Sequence, residues 1–210
     1  MIGRYVLRRT LARVLPYLWP IALVAFILLT EPPAYALFLL AATALHETGH
    51  LFAFFACGEP LPRFGGRGFG LLLTPQGGSL FPKHELMICA AGPLFNLAGC
   101  LALIPALHAG VASEANFCFF ALNLLTALFN LLPLSGFDGG RMLSATLSLT
   151  CPPPVARAVC AAVSLGGALF FYFVALFLSF VAGAGIYPFA LAAFLVWNEG
   201  KRWPALWEDF

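Results

Sequence analysis

Long apolar stretches separated by short breaks dominate this chain, and they restrict it to a bilayer environment. Of its 210 residues, 61% are hydrophobic and only 10% are charged, whereas a soluble domain carries about 25% charged residues. A helix needs about 20 apolar residues to cross the hydrocarbon of a bilayer. The sequence therefore predicts an all-α polytopic membrane protein with six spans, at about 14–30, 33–57, 84–108, 115–134, 155–182 and 185–198.

The basic residues test this span count and give an orientation. All eleven Lys and Arg residues fall on one side of the six-span arrangement, and such residues are retained on the cytoplasmic side of membranes. We therefore expect both termini to face the cytoplasm, in a multi-pass protein of a bacterial cell membrane. The net charge of +2 is too small to indicate nucleic acid binding.

The N-terminal segment has a second interpretation. Its basic residues, its apolar run and the sequence Ala34-Tyr35-Ala36 resemble a signal peptide with a small-residue cleavage site. The apolar run is long, however, and Pro32-Pro33 is typical of the first turn of a following helix. A first membrane span is the favoured interpretation, and cleavage would not change the orientation of the rest. We expect one transmembrane domain over residues 1–210.

A Gly- and Pro-rich segment separates the second and third predicted spans. Residues 64–80 read F-G-G-R-G-F-G-L-L-L-T-P-Q-G-G-S-L, a composition that favours a short β-type or re-entrant segment over a span. One interpretation is an interfacial loop. The other is an edge strand that pairs with an extended peptide by β-augmentation.

The run His46-Glu47-Thr48-Gly49-His50 lies inside the second predicted span. Residues four apart share one face of a helix, so both imidazoles can reach a single ion. Glu47 projects about 100° away, close enough to act on a metal-bound water. An ionisable residue at the membrane centre costs about 2.5–3.5 kcal/mol, so a cluster without a function would be a liability. The alternative is a polar cluster that hydrogen-bonds neighbouring helices.

A catalytic zinc usually takes three protein ligands, and Asp138 is the favoured third. Most of the other acidic residues sit at predicted span ends or in the tail. Pro133 and Gly136 should interrupt the fourth helix, which allows irregular backbone to line a polar cavity. Taken alone, Asp-Gly-Gly after a helix is more often a loop turn. Beside H-E-x-x-H in an acid-poor chain, the ligand interpretation is favoured.

These motifs together resemble the site-2 protease family. The resemblance consists of H-E-x-G-H in one membrane helix, N-x-x-P followed by D-G-G in a later one, and the run A-G-P-L-F-N at 91–96, which is similar to the family's G-P-x-x-N element. It covers about residues 40–145. Phe137 stands where the family has leucine, a conservative departure. The span pattern is most similar to the stage IV sporulation FB-like branch, without its CBS domain.

The resemblance implies a zinc metalloendopeptidase that acts in regulated intramembrane proteolysis of transmembrane protein substrates. It implies one Zn²⁺ ion held by His46, His50 and Asp138, with Glu47 activating water. Asn130 corresponds to the motif asparagine that helps position substrate, and Pro133 belongs to the same motif.

Two further asparagines allow more than one interpretation. For Asn96, interhelical hydrogen bonding and substrate contact are equally favoured. For Asn123, which lies one heptad before the motif asparagine, interhelical hydrogen bonding is favoured.

The depth of the motif predicts the side from which the site is reached. If the second span begins near Pro33, His46 lies thirteen residues along it, or about 20 Å at 1.5 Å per residue. We therefore expect a site in the cytoplasmic half of the bilayer, with water entering from that side. The alternative functions are a membrane metal-ion transporter that uses the same His/Asp cluster and a scaffold protein. Association into homo-oligomers is left open.

Overall fold

The computed structural model describes residues 33–60, 62–67, 70–74, 80–110 and 113–181, together with positions 189, 192, 193, 195–197 and 199. The span predicted at 14–30 and much of the one at 185–198 lie outside the described residues. The elements, in chain order, are α1 (Pro33–Ala56), β1 (Arg63–Arg67), β2 (Gly70–Thr74), α2 (Pro82–His108), α3 (Glu114–Asn130), α4 (Asp138–Thr150) and α5 (Pro153–Phe180).

Three of the described helices, α1, α2 and α5, are long and apolar enough to cross a membrane. They coincide with the spans predicted at 33–57, 84–108 and 155–182, while the count of six stays a prediction. Their large side chains face outward to an extent that water would not tolerate. Six phenylalanines of α1 and α5 are more than half exposed: Phe52, Phe55, Phe170, Phe173, Phe177 and Phe180. These features support an integral membrane protein.

Proline and glycine set the helix boundaries. Proline is the first residue of α1, α2 and α5, where its missing N–H leaves no helical hydrogen bond unmade. Gly58 follows α1 with a φ of 68°, and the backbone N–H of Glu59 donates to the carbonyl of Phe54 at 3.0 Å. Gly110 follows α2 with the same φ. Both glycines adopt the left-handed conformation that ends a helix at little cost.

The Gly-rich segment contains a two-stranded antiparallel sheet. Strand β1 pairs with β2 in a register that runs from Arg63 opposite Thr74 to Arg67 opposite Gly70. The sequence expectation of a β-type or re-entrant segment thus corresponds to a short hairpin in this part of the chain.

The region around Asp138 differs from the sequence prediction. The fourth span was predicted to run to 134, but α3 ends at Asn130. The segment predicted only as a break then starts a new helix, since Asp138 is the first residue of the 13-residue helix α4. The two glycines after Asp138 and several polar side chains make this helix too polar to be predicted as a membrane span. An acidic residue in the first turn is favourable because it faces the positive end of the helix dipole.

The chain divides into two compact units, and α2 contributes to both. The first unit contains α1, the hairpin, α2 from Ala91 onward and most of α3. Small residues bring its helices together. A Cβ atom on Gly49 would lie 2.5 Å from the carbonyl oxygen of Ala91, and one on Gly99 would lie 2.8 Å from the side chain of Leu45. Glycine therefore permits close packing of α1 against α2.

The second unit contains residues 81–90 of α2, the loop after α3, and helices α4 and α5. Its core includes Leu134 of the loop, Ala145 of α4 and Ala168 of α5, all buried. The hydroxyl of Ser164 on α5 accepts a hydrogen bond from the backbone N–H of Ser135 at 2.8 Å. Helix α5 thereby supports the loop that leads to Asp138.

Candidate metal centre

His46 and His50 lie one turn apart on the same face of α1, as the four-residue spacing predicts. Both side chains are buried, at 5% and 6% exposure. Their Nε2 atoms face each other at 3.1 Å, and the two rings are nearly perpendicular, at 87°. The two nitrogens thus converge on one point.

Gly92 of α2 provides the space that the two imidazole rings occupy. A Cβ atom at this position would lie 2.5 Å from Nε2 of His50 and 2.8 Å from Cε1 of His46. Any side chain here would therefore displace at least one ring. Sequence reasoning did not assign this role to Gly92, although its place in the G-P-x-x-N element was a signal.

Behind His46 lies a pair of buried amides, Asn96 of α2 and Asn123 of α3, both with no exposed surface. Oδ1 of Asn96 lies 2.7 Å from Nδ1 of His46. The Nδ2 group of Asn96 donates to the carbonyl of Ala42 at 2.8 Å and to Oδ1 of Asn123 at 2.8 Å. Asn123 in turn donates to the carbonyl of Phe119 at 2.9 Å. The chain of bonds connects three helices and ends on one histidine.

Asp138 is 7% exposed and follows a tightly folded loop. The backbone N–H of Leu134 donates to the carbonyl of Leu132 at 2.8 Å, and that of Phe137 donates to the carbonyl of Leu134 at 2.9 Å. The two glycines after Asp138 lie directly against this loop. A Cβ atom on Gly139 would overlap the carbonyl of Leu131, and one on Gly140 would overlap the carbonyl of Leu134. Glycine at both positions therefore permits the loop backbone to pack directly against the start of α4.

His46, His50 and Asp138 form a candidate metal site. Each is buried and offers one ligand atom, and these atoms all lie within 4.8 Å of one another. In a tetrahedral zinc site with Zn–N bonds of about 2.0–2.1 Å, two ligand nitrogens are about 3.3 Å apart. The 3.1 Å between the two Nε2 atoms is close to that separation. The donor set of two imidazoles and a carboxylate therefore fits a metal ion of this kind.

The proposed base and the two proposed substrate residues lie on α1, at the end of α3 and in the loop before α4. Glu47 is half-buried in α1, and Asn130 is the half-buried last residue of α3. Pro133 is exposed and lines a cavity of about 220 Å³ in the second unit, together with Glu85, Arg141 and Ser135.

Two polar contacts border this cavity. Nε of Arg141 lies 3.4 Å from a carboxylate oxygen of Glu85. The hydroxyl of Ser135 lies 2.6 Å from each carboxylate oxygen of Glu199, and Glu199 is 9% exposed. The loop that precedes Asp138 is thus attached through Ser135 to both α5 and position 199.

The fold has a known counterpart among solved structures. No protein-family model matches the sequence, and no curated protein matches it. The structure is similar to that of the site-2 protease from Methanocaldococcus jannaschii, with a TM-score of 0.58 and 20% sequence identity. The similarity covers 89% of this chain and 87% of that one. At this identity the likeness shows a shared fold.

Proposed function

We propose that this chain is an intramembrane zinc metalloendopeptidase of the site-2 protease type. It hydrolyses a peptide bond within or next to a transmembrane segment of a membrane protein substrate. The observation that carries the proposal is the buried candidate metal site of two histidines and an aspartate in a chain of long apolar helices. Ionisable residues in such surroundings are costly and therefore usually functional. The fold shared with a site-2 protease supports the same conclusion.

His46, His50 and Asp138 are the proposed ligands of one Zn²⁺ ion. The two imidazoles would each bind through Nε2 and the aspartate through a carboxylate oxygen, which leaves the fourth position of a tetrahedral ion open. Nitrogen and oxygen donors of this kind suit zinc. When bound, the ion supplies a Lewis acid that polarises the scissile carbonyl and lowers the pKa of a bound water.

Glu47 is the proposed general base. It follows His46 directly in α1, about 100° around the helix axis from that histidine, and it is half-buried. In this role it accepts a proton from the attacking water and later delivers it to the leaving amine. Asn130 and Pro133, at the end of α3 and in the loop before Asp138, are proposed to position the substrate.

The substrate must be unwound locally, because the hydrogen bonds of a helix shield its peptide bonds from attack. A two-stranded sheet leaves one edge of each strand without a strand partner within the sheet. We propose that the β1–β2 hairpin pairs with the extended substrate by β-augmentation. This places substrate recognition on main-chain hydrogen bonds and makes it tolerant of side-chain sequence.

The proposal includes an orientation and a subgroup. Residues 1–210 form one transmembrane protease domain with cytoplasmic termini, whose site opens to the cytoplasmic side of a bacterial cell membrane. The stage IV sporulation FB-like branch is the proposed subgroup. Both rest on the hydropathy and the one-sided distribution of basic residues in the sequence.

The test combines metal analysis with cleavage of single-span membrane proteins by purified protein in detergent. We expect about one zinc per chain and cleavage within or beside the span. Glu47→Gln should abolish cleavage while zinc content stays at the wild-type value, and Asp138→Ala should lose zinc. Thr48→Val is the matched control, because Thr48 is exposed and its hydroxyl bonds only back to the carbonyl of Ala44 within α1.

Each outcome has a defined meaning. Cleavage by Glu47→Gln at the wild-type rate would refute the mechanism. Full zinc content in Asp138→Ala would remove Asp138 from the ligand set. Zinc uptake into vesicles by wild type and Glu47→Gln alike, without any cleavage, would instead show a transporter.

A further inference from the structure

The buried amide pair behind His46 forms a hydrogen-bond chain with one consistent direction. Asn96 has no exposed surface, so each of its polar atoms needs a protein partner. Two neighbours of its Nδ2 group, the carbonyl of Ala42 and Oδ1 of Asn123, are both acceptors at 2.8 Å. Nδ2 carries two N–H groups, and these two acceptors use both of them.

The direction of the Asn123 amide is fixed in the same way. Its Nδ2 group donates to the carbonyl of Phe119, one turn earlier on α3, at 2.9 Å. Its oxygen therefore faces Asn96 as an acceptor. If the Asn96 amide were reversed, its oxygen would lie against two other oxygens, the carbonyl oxygen of Ala42 and Oδ1 of Asn123. The reversed arrangement is excluded by repulsion between acceptors, which is the criterion for assigning amide orientation.

With this orientation the oxygen of Asn96 faces His46. Oδ1 lies 2.7 Å from Nδ1 of the ring, and an amide oxygen only accepts hydrogen bonds. Nδ1 of His46 therefore carries the proton and donates it. In the neutral ring this leaves the lone pair on Nε2, the atom that faces Nε2 of His50. The hydrogen bond to Asn96 thus holds the His46 ring in one tautomer in the absence of a metal ion.

We propose that Asn96, held in turn by Asn123, is a positioning residue that keeps His46 in the Nδ1–H tautomer with Nε2 available to the metal. The metal-binding half of this inference rests on the proposed function. The sequence had left a substrate contact open as a second role for Asn96. The structure disfavours that role, because a side chain with no exposed surface and three internal hydrogen bonds has no group to offer a peptide. Ligand histidines are commonly fixed through their second nitrogen, and loss of that partner costs about 10–100-fold in metal affinity.

A purely structural role for the same bonds makes a different prediction. Amides that only join helices would stabilise the packing of α1, α2 and α3 and would leave zinc affinity unchanged. Cys100 gives a matched comparison, since it lies one turn after Asn96 on α2. Its thiol donates to the carbonyl of Phe120 on α3 at 3.4 Å. It therefore joins the same two helices through a bond in which the histidine takes no part.

The first experiment uses the full-length wild-type protein loaded with zinc in detergent and labelled with ¹⁵N in its histidine rings. Only four histidines are present. Single replacements of His84 and His108 identify two sets of signals, and of the remaining two the set that changes most in Asn123→Leu belongs to His46, because Asn123 bonds to the partner of His46. We expect His46 to show a protonated Nδ1 and a metal-bound Nε2. A protonated Nε2 with binding through Nδ1 would overturn the inference.

The second experiment measures zinc affinity by competition with a chelator, together with the melting temperature. We expect Asn96→Leu to weaken zinc binding about 10–100-fold, and Asn123→Leu to weaken it less because the bond to Ala42 remains. Cys100→Ala should leave affinity unchanged, whatever its effect on melting.

The inference is refuted by an Asn96→Leu protein that binds zinc within about threefold of wild type. It is also refuted if Cys100→Ala reduces affinity as much as Asn96→Leu does. If Asn96→Leu does not fold, the wild-type tautomer and Asn123→Leu decide the question. Cleavage that survives in Glu47→Gln would refute the proposed protease mechanism and leave these measurements of His46 unchanged, so the two failures are distinguishable.

Discussion

The two histidines and the aspartate of the candidate metal site are held in place by different kinds of contact. His46 is fixed from behind by the side chain of Asn96, and the space for both rings is provided by Gly92. Asp138 follows a loop whose own backbone packs against Gly139 and Gly140. Side chains can rotate when something is added beside them, whereas packed backbone has few ways to move. The same small addition should therefore damage metal binding in the first region and folding in the second.

The largest effect is expected for an added methyl group in the loop region. In Gly140→Ala the new Cβ would overlap the backbone carbonyl of Leu134, so the loop before Asp138 must move. Overpacking costs about 1–3 kcal/mol even where side chains can adjust, and a backbone neighbour should place this variant at or above that range. We expect little folded protein and a strongly lowered melting temperature in detergent.

The control for this variant lies in the same loop. A Cβ on Gly136 would meet nothing within 4 Å, and its φ is not in the left-handed region. Gly136→Ala should therefore melt close to the wild-type temperature. Equal stability of the Gly140 and Gly136 variants would show that the loop is not held by backbone packing.

The second largest effect is expected for an added methyl group beside the two histidines, where zinc affinity should change more than stability. In Gly92→Ala the three atoms nearest to the new Cβ would all belong to imidazole rings, the nearest being Nε2 of His50 at 2.5 Å. The rings can rotate away, so the protein should fold but lose the converging pair of nitrogens. We expect zinc affinity to fall by at least about tenfold with a smaller change in melting temperature than in Gly140→Ala.

Gly166 on α5 is the matched helical glycine for this experiment. Nothing lies within 4 Å of a Cβ built there. Gly166→Ala should keep wild-type zinc affinity and gain up to about 1 kcal/mol from the higher helix propensity of alanine. Unchanged zinc binding in Gly92→Ala would contradict the view that this glycine makes room for the rings.

The two regions also differed in how far the sequence predicted them. The histidine pair follows from a four-residue spacing on one helix, which is local information. The positions of α1, α2 and α5 follow from apolar runs of bilayer length. Helix α4 was missed because it contains two glycines in its first turn and several polar residues. It packs on α5, and no local sequence pattern records such a contact. The bond from Asn96 to His46 joins residues fifty positions apart, so the sequence left its role undecided.

The third prediction concerns the attachment of the loop to position 199. The Ser135 hydroxyl donates to the nearly buried carboxylate of Glu199. A hydrogen bond to a charged group contributes about 1.5–3 kcal/mol, and the partial exposure of Ser135 places its loss at the lower end. Ser135→Ala should therefore lower the melting temperature clearly but less than Gly140→Ala. Ser148→Ala, which removes only a bond within α4 to Ala145, is the control, and equal effects of the two would refute the attachment.

The smallest effect is expected for the ion pair between Glu85 on α2 and Arg141 on α4. Their side chains are 30% and 25% exposed, and the N···O distance is a long 3.4 Å. Such partly solvated pairs contribute about 0.2–1 kcal/mol, so Glu85→Gln should lower stability by less than Ser135→Ala. The loss should shrink further at high salt, since exposed charges are screened. Glu114→Gln at the exposed start of α3 is the control. A loss as large as that of Gly140→Ala would mean that charge, and not backbone packing, holds the aspartate region.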